Sequence, residues 1–261
     1  MSQDRPTNDD VRAAWDALAG YWDEQMEGGH TWQRVLIQPA VERLLQLEAG
    51  ERVLEIACGN GEFSRRMAEV GAHVLATDFS EPMLDRARAR GGDIEYRRVD
   101  ATDPVALRAL GDHSFDAVVC NMAIMDMSDI DPMAAAIPAL LAPGGRFVLS
   151  TTHPAFNTGD ATRVVEQTED HSGVIRTYSV KVSRYHTPLT SKGVALEGQP
   201  ITQWYFDRSI SELFTAFFRH GLVLDGIEEP VLDKEGVDPR DERMIFTELP
   251  GVLVARMRPA S

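Results

Sequence analysis

The sequence predicts an α/β fold built on a doubly wound, mostly parallel sheet. Three short apolar runs favour strands, and an acidic residue lies near the end of each: residues 53–56, 73–78 and 94–99. A helical apolar pattern follows the first two runs, the order typical of parallel sheets. We therefore expect Glu55, Asp78 and Asp100 at the carboxyl edge of the sheet, where ligands bind in open α/β folds.

A glycine-punctuated turn follows the first strand. Gly59 and Gly61 lack the Cβ atoms that would keep a ligand away from the backbone, and a helical pattern begins directly after them. The free N–H groups at the start of that helix favour an anion such as a carboxylate or phosphate. Asp78 lies 78 − 61 = 17 residues after Gly61, where a carboxylate can accept hydrogen bonds from both hydroxyls of a ribose. Ordinary turn punctuation would also account for the glycines.

These residues resemble the motifs of the class I S-adenosylmethionine-dependent methyltransferases. The resemblance is strong over about residues 50–152 and rests on Glu55-x-Ala57-Cys58-Gly59-x-Gly61, Asp78-Phe79-Ser80 and Asp100-Ala101. It implies a Rossmann-like sheet, a small-molecule acceptor, S-adenosylmethionine as cofactor and S-adenosylhomocysteine as product. The family has a glycine where this chain has Ala57. The cofactor site that the resemblance implies within the sheet is Glu55, Ala57, Cys58, Gly59, Gly61, Asp78, Phe79, Met83, Asp100, Ala101, Asn121 and Met122.

Two helices are predicted ahead of the first strand. Residues 8–26 form an amphipathic pattern, and Gly28-Gly29 breaks it. A second helical stretch covers residues 32–47, with Pro39 expected to kink or split it. By the family resemblance, residues 1–47 form a helical lid over the site.

The aromatic residues of this lid are assigned two roles. Tyr21 and Trp32 lie near the glycine break, and we expect both at the cofactor, with the Tyr21 hydroxyl reaching its carboxylate. Trp15 and Trp22 belong to the apolar stripe of the first helix, and we interpret them as core residues.

Residues 115–120 predict the fourth strand, and a loop from Asn121 to Asp126 follows it. In the family this loop passes under the transferred methyl group. It lacks the aromatic-proline motif that grips the amino group of a nucleobase or a glutamine, which argues against such substrates. Asp126, Asp129 and Asp131 are close in sequence and could bind Mg²⁺. Asp131-Pro132 is better explained as a helix start with acids at the positive end of the dipole, so no metal site is predicted.

The pattern changes after the fifth strand, which is predicted at residues 147–152. Residues 174–185 and 201–206 alternate in polarity between Gly and Pro residues, which favours antiparallel strands in an insertion that covers the substrate. A helix at 209–220 and an antiparallel pair at 222–231 and 247–257 follow. The expected domains are a lid at 1–47, a cofactor-binding core at 48–154, a cover at 155–206 and the rest of the core sheet at 207–261.

The 261-residue chain has 26 basic and 41 acidic residues, a net charge of −15. This charge argues against nucleic acid and anionic membranes as partners, because phosphate groups are bound mainly by Lys and Arg. No run approaches the ~20 apolar residues of a membrane span, and the first ten residues carry no apolar signal-peptide core. We therefore expect a cytoplasmic monomer or homodimer in which Cys58 and Cys120 are reduced structural thiols.

Transfer of a methyl group to a hydroxyl or an amine requires alignment, exclusion of water and removal of a proton. His153 is the candidate general base, because it follows the fifth strand at the acidic edge and imidazole titrates near neutral pH. A histidine that only contacts substrate or hydrogen-bonds loop carbonyls is the alternative there. The expected substrate-binding residues are His153, Tyr185, His186 and Trp204.

Two other functions fit parts of this pattern. A nicotinamide-dependent oxidoreductase would share the glycine turn and Asp78, but Ser64 stands where its third glycine is expected. A non-catalytic protein that binds S-adenosylmethionine or a metabolite is the second alternative. The predicted cover favours an enclosed small molecule and hence an enzyme.

Overall fold

A seven-stranded mixed sheet forms the centre of the protein. A computed structural model describes residues 6–26, 30–171, 173–238 and 241–260. The strands in these residues are β1 (Arg52–Ile56), β2 (His73–Asp78), β3 (Glu95–Arg98), β4 (Phe115–Asn121), β5 (Leu141–Thr152), β6 (Thr162–Asp170), β7 (Gly173–Lys181), β8 (Leu189–Gly193), β9 (Gln203–Asp207), β10 (Leu222–Glu228) and β11 (Val252–Pro259). The α-helices are α1 (Asn8–Met26), α2 (Gln38–Leu45), α3 (Glu62–Glu69), α4 (Glu81–Ala89), α5 (Pro104–Arg108), α6 (Asp131–Leu140) and α7 (Ile210–Phe218).

The strand order of the central sheet is β10-β11-β5-β4-β1-β2-β3. Strands β1 to β5 are parallel wherever they pair, whereas β11 lies antiparallel between β5 and β10. The winding direction reverses between β1 and β4, and such a switch point opens a ligand crevice at the carboxyl ends of the strands. The predicted α/β fold, with a mostly parallel sheet and an antiparallel last strand, is confirmed.

Apolar layers cover both faces of this sheet. On β1, Val53 joins a layer that includes residues of α2, α3 and α4, while Leu54 joins the layer of α6 and α7 on the other face. Both side chains are fully buried, and each such burial stabilises the fold by about 1.5–3 kcal/mol. The strand ends that carry Glu55 and Asp78 are thereby held between two packed layers.

The chain between β5 and α7 forms two separate hairpins. In the first, β6 pairs antiparallel with β7; in the second, β8 pairs antiparallel with β9. The predicted strand at 174–185 ends earlier, at Lys181. The sequence pattern predicts no strand at β6 or β8, because polar side chains occupy both faces there and leave no apolar alternation.

Other predicted boundaries also shift. The second helix contains a π-helical turn (Gln33–Ile37) that continues directly as α2, with Pro39 in the first turn of α2. The predicted last strand starts at Val252, because a 3₁₀ helix occupies Glu242–Thr247. The expected glycine break at 28–29 lies outside the described residues. Within the described ranges, every helix is too short or too polar to cross a bilayer.

Candidate functional site

A cavity lies at the carboxyl ends of the parallel strands, against α1, and is termed the strand-edge cavity. Its empty volume, open mouth included, is about 990 Å³. The cavity is lined by most of the predicted cofactor residues: Glu55, Ala57, Cys58, Gly59, Asp78, Phe79, Met83, Asp100, Ala101, Asn121 and Met122.

Asp78 connects the glycine turn to the end of β2. Its Oδ2 accepts a hydrogen bond from the Gly59 N–H at 2.8 Å, and its Oδ1 accepts one from the Ser80 N–H at 2.8 Å. Burial raises the pKa of this carboxyl to about 6, although both hydrogen bonds favour the ionised form. Each oxygen retains acceptor capacity for a ligand in the cavity.

Gly59 leaves room directly above this turn. Its φ is +56°, and a Cβ atom built there would meet no other atom within 4 Å. A side chain at this position would therefore occupy the cavity itself.

Glu55 and Cys58 are buried at the floor of the cavity. The Glu55 carboxylate accepts a hydrogen bond from the Ser64 hydroxyl, but burial dominates and raises its pKa to about 8. Burial also raises the pKa of the Cys58 thiol well above its usual value. Cys58 and Cys120 are both unpaired and buried. The floor is therefore largely uncharged at neutral pH and contains no activated thiolate.

Asp100 contacts the first residue of α1. Its Oδ1 accepts hydrogen bonds from the N–H and the hydroxyl of Thr102 at 2.8 and 2.7 Å, and its Oδ2 accepts one from the Asn8 side-chain amide. Helix α1 therefore reaches the carboxylate that the family resemblance places at the adenine.

Two non-glycine residues of the lining have left-handed backbones. Ala57 has φ = +58° and Met122 has φ = +51°, conformations that cost such residues on the order of 1–3 kcal/mol. The family's glycine at position 57 would avoid that strain.

Gly61 is not part of the lining. Its φ is +71°, and a Cβ atom there would lie 2.5 Å from the hydroxyl oxygen of Tyr96. The glycine is thus required by packing against β3 as well as by the turn.

Helix α1 contributes the aromatic wall of the cavity. Trp15 and Trp22 line it, with their rings edge to face at 5.0 Å, so their interpretation as core residues is wrong. A helix face that packs in the core and a helix face that lines a cavity are both apolar. The periodicity of the sequence therefore does not distinguish a core residue from a cavity residue. Tyr21 lies outside the lining and donates its hydroxyl hydrogen to the Glu197 carbonyl at 2.7 Å.

A second cavity lies between α1 and the two hairpins, and is termed the cover cavity. Its empty volume, open mouth included, is about 1740 Å³. Trp32 lines this cavity rather than the first, and its ring packs edge-on against Phe246 at 4.7 Å. The two cavities share a wall: Trp15, Trp22, Met26, Gln33, Met122 and Asp126.

Asp126 is the titratable side chain of this shared wall, and the sequence did not single it out as a substrate contact. It is 8% exposed, and burial raises its pKa well above the usual range. The available signal is an acid between apolar neighbours, in Ile124-Met125-Asp126-Met127.

Asp129 and Asp131 do not join Asp126. Asp129 accepts the Asp131 N–H at 3.0 Å, and Asp131 contacts His220 at 3.1 Å. Across the described part of the chain, no three His, Cys, Asp or Glu side chains group as metal ligands would.

His153 lies outside the linings of both cavities. It is 1% exposed, and its ring stacks on Phe156. Nε2 contacts Oε1 of Glu229 at 2.7 Å, while Nδ1 lies 3.1 Å from the Ala155 N–H and accepts from it. Both ring nitrogens are thus engaged within the protein. This geometry favours a structural role over the predicted roles of general base and substrate contact.

The other predicted substrate residues also lie outside the two linings. The Tyr185 hydroxyl oxygen accepts the Ile210 N–H at 2.9 Å, and the exposed His186 packs edge-on against Tyr185. The Lys192 ammonium lies 4.3 Å from the Trp204 ring centre. The residues on either side of Trp204 in β9, Gln203 and Tyr205, line the cover cavity instead, because successive side chains of a strand point to opposite faces.

The sheet order and the position of the strand-edge cavity are those of α/β proteins that bind nucleotide-like ligands. Residues 54–149 match the family model described as a methyltransferase domain. The chain therefore contains a methyltransferase domain over these residues, and its fold is that of the class I S-adenosylmethionine-dependent methyltransferases. It is similar to the demethylmenaquinone methyltransferase of Clavibacter sepedonicus, with 34% identity over 142 residues that cover 53% of this chain and 56% of the relative. It also resembles the ubiquinone biosynthesis O-methyltransferase of Xanthomonas axonopodis pv. citri, with 34% identity over 142 residues covering 52% and 57%. The chain thus spans little more than half the length of these curated relatives.

Solved structures share the fold over more of the chain. A methyltransferase from Mesorhizobium loti, described as S-adenosylmethionine dependent, superposes with a TM-score of 0.65 and 29% identity over 84% of this chain and 96% of that one. The CcbJ methyltransferase from Streptomyces caelestis has the same fold, with a TM-score of 0.61 and 22% identity over 95% and 98% of the two chains. The match to a methyltransferase domain argues against the nicotinamide-dependent alternative.

Proposed function

We propose that the protein transfers a methyl group from S-adenosylmethionine to oxygen or nitrogen of a small-molecule acceptor. The observation that carries this proposal is the wall shared by the two cavities, since a donor at the strand edge and an acceptor under the cover would meet there. The printed names of the two curated relatives, which concern menaquinone and ubiquinone, support a small-molecule acceptor.

The lining of the strand-edge cavity fits this donor. Asp78 is the ribose ligand in this proposal, because its carboxylate oxygens retain acceptor capacity beside the open space above Gly59. Asp100 and the Ala101 N–H bind the adenine edge, and Phe79 and Met83 pack on the ring.

When bound, S-adenosylmethionine supplies a methyl group already activated by a sulfonium. The protein's remaining tasks are to align the acceptor and to exclude water. Trp15 and Trp22 serve both tasks in this proposal, because their rings lie in the wall between the cavities. Small acceptors of limited charge suit a site whose shared wall is mostly apolar.

Calorimetry with S-adenosylmethionine and NAD⁺ tests the donor assignment. We expect binding of the former only, weakened roughly tenfold to a hundredfold in Asp78→Ala, because charge-assisted hydrogen bonds contribute ~1.5–3 kcal/mol. Asp85→Ala is the matched control, since this exposed acid of α4 lies outside the cavity. Unchanged affinity in a folded Asp78→Ala variant would remove the ribose assignment.

Catalysis needs a separate test. The protein, incubated with deuteromethyl-labelled donor and a bacterial metabolite extract, should transfer label to a small molecule detected by mass spectrometry. Donor binding without labelled product would favour the non-catalytic binding protein instead.

A further inference from the structure

Asp126 occupies a fixed position in the wall between the two cavities. It ends the 3₁₀ turn Ile124–Asp126 that follows β4. The Arg208 guanidinium donates hydrogen bonds to the Ile124 carbonyl at 3.2 Å and to the Met127 carbonyl at 2.5 Å. The backbone is therefore held on both sides of Asp126, which limits how far its carboxyl group can move.

The Asp126 carboxyl group is short of hydrogen-bond donors. Its Oδ1 is buried and has no partner among the described residues, and the same is true of Gln33 Oε1 in the shared wall. The Gln203 side chain of β9 is the neighbour that favours the ionised form of Asp126. Leaving a buried acceptor without a donor costs ~1–3 kcal/mol, so two such oxygens in one wall favour a ligand that brings hydrogens to them.

The position of Oδ1 suits the reacting group of an acceptor. A ligand in the cover cavity that reaches the strand-edge cavity must pass this wall, where Asp126 lines both cavities. Burial favours the protonated carboxyl group in the free protein, but the positive sulfonium of a bound donor favours the ionised form. The carboxylate can then accept a hydrogen bond from an N–H or O–H group before transfer and hold its proton afterwards.

We propose that Asp126 binds the nucleophilic nitrogen or oxygen of the acceptor through Oδ1 and takes its proton, with Gln33 Oε1 as a second hydrogen-bond acceptor. This inference rests on the proposed function. In the step, the lone pair of the nitrogen or oxygen forms a bond to the methyl carbon. The carbon–sulfur bond breaks, and its electron pair remains on sulfur, which becomes a neutral thioether. The proton of the nucleophile moves to Asp126 and passes to solvent after product release.

Simple aromatic probes test this recognition without a known acceptor. Protein saturated with S-adenosylhomocysteine is titrated with benzylamine, benzyl alcohol and benzyl methyl ether, and the dissociation constants are measured by ligand-observed NMR. We expect the amine and the alcohol to bind wild-type protein about tenfold or more tightly than the ether, because only they carry a hydrogen for Oδ1. The preference should fall below about threefold in the isosteric variant Asp126→Asn.

Asp129→Asn is the matched control, since it makes the same charge change at an exposed residue three positions away. Retention of the preference in Asp126→Asn overturns the proposal, as does failure of the wild-type protein to distinguish or to bind the three probes. Calorimetry with S-adenosylhomocysteine separates this failure from that of the proposed function. If that compound binds normally while the probe preference is absent, only the Asp126 role falls; if it does not bind, the donor assignment falls.

Discussion

The imidazole of His153 lies with Nε2 2.7 Å from Oε1 of Glu229, and its Nδ1 accepts the Ala155 N–H. Nε2 is then the protonated nitrogen, and no lone pair is free for an acceptor. We expect His153→Ala to lower the free energy of unfolding by about 1–3 kcal/mol in urea titrations, because a buried ring that makes two hydrogen bonds is lost. Turnover at saturating acceptor should stay within about tenfold of wild type.

His186→Ala is the control for this variant, because His186 is an exposed histidine of the insertion. A turnover loss of roughly 10²–10⁴ in His153→Ala, with donor affinity and stability unchanged, would instead restore the general-base assignment.

Donor binding should depend on pH through Asp78. The pKa of this carboxyl is about 6, and only its ionised form accepts hydrogen bonds with both oxygens. The affinity for S-adenosylhomocysteine should therefore increase about tenfold from pH 5 to pH 7 and then level off. Calorimetry across this range checks the slope, which Asp78→Asn should flatten. Glu55→Gln should retain it, because the Glu55 pKa is about 8 and lies above the range.

Gly61 offers a test of packing separate from backbone strain. Gly61→Ala should be destabilising, by ~1–3 kcal/mol more than Gly144→Ala in thermal or urea unfolding. Both glycines have positive φ, +71° and +80°, but a Cβ atom at Gly144 meets nothing within 4 Å, whereas one at Gly61 lies 2.5 Å from the Tyr96 hydroxyl oxygen. Tyr96→Phe should restore part of the loss in the Gly61→Ala background. Equal losses in the two alanine variants would contradict the contact.

The raised pKa of Asp126 should make the free energy of unfolding decrease as the pH rises. Its pKa is raised in the folded protein, so the folded state binds a proton that the unfolded chain has released. The free energy of unfolding therefore falls by up to about 1.4 kcal/mol per pH unit above the unfolded pKa, until the folded pKa is reached. Asp126→Asn removes this dependence, and its stability relative to wild type should grow between pH 5 and pH 7. A constant difference over that range would mean that Asp126 is ionised in the folded protein.

The sheet and the strand-edge cavity follow from local patterns. Apolar runs that end in acids, with glycines after the first, specify strand, turn and helix within a few residues of each other. Parallel pairing then brings Glu55, Asp78 and Asp100 to one edge, whatever the longer-range contacts are. These parts of the site depend little on how distant segments pack.

The substrate side depends on relations that no local pattern contains. His153 occupies the expected strand end, but its partner Glu229 is 76 residues away. Trp204 lies in a strand of the insertion, where successive side chains point to opposite faces of the sheet. Its neighbours Gln203 and Tyr205 therefore line the cover cavity instead. Asp126 is distinguished by its burial and by an Oδ1 that has no hydrogen-bond partner among the described residues, and neither property is contained in a local sequence pattern.

Helix α1 is attached to the core near both of its ends. Asn8 donates to Asp100, and the buried Asp23 accepts from Asn60 at 3.0 Å and from Arg90 at 2.8 Å. Asp100 and Asn60 belong to loops of the strand-edge cavity. An engineer who exchanges this N-terminal segment for that of a homologue, to alter which acceptor is methylated, would therefore also disturb the donor loops. A chimera that takes its N-terminal segment, up to the end of β1, from a homologue should therefore also take that homologue's residues at the positions that contact Asn8 and Asp23. These positions are Asp100, Asn60 and Arg90.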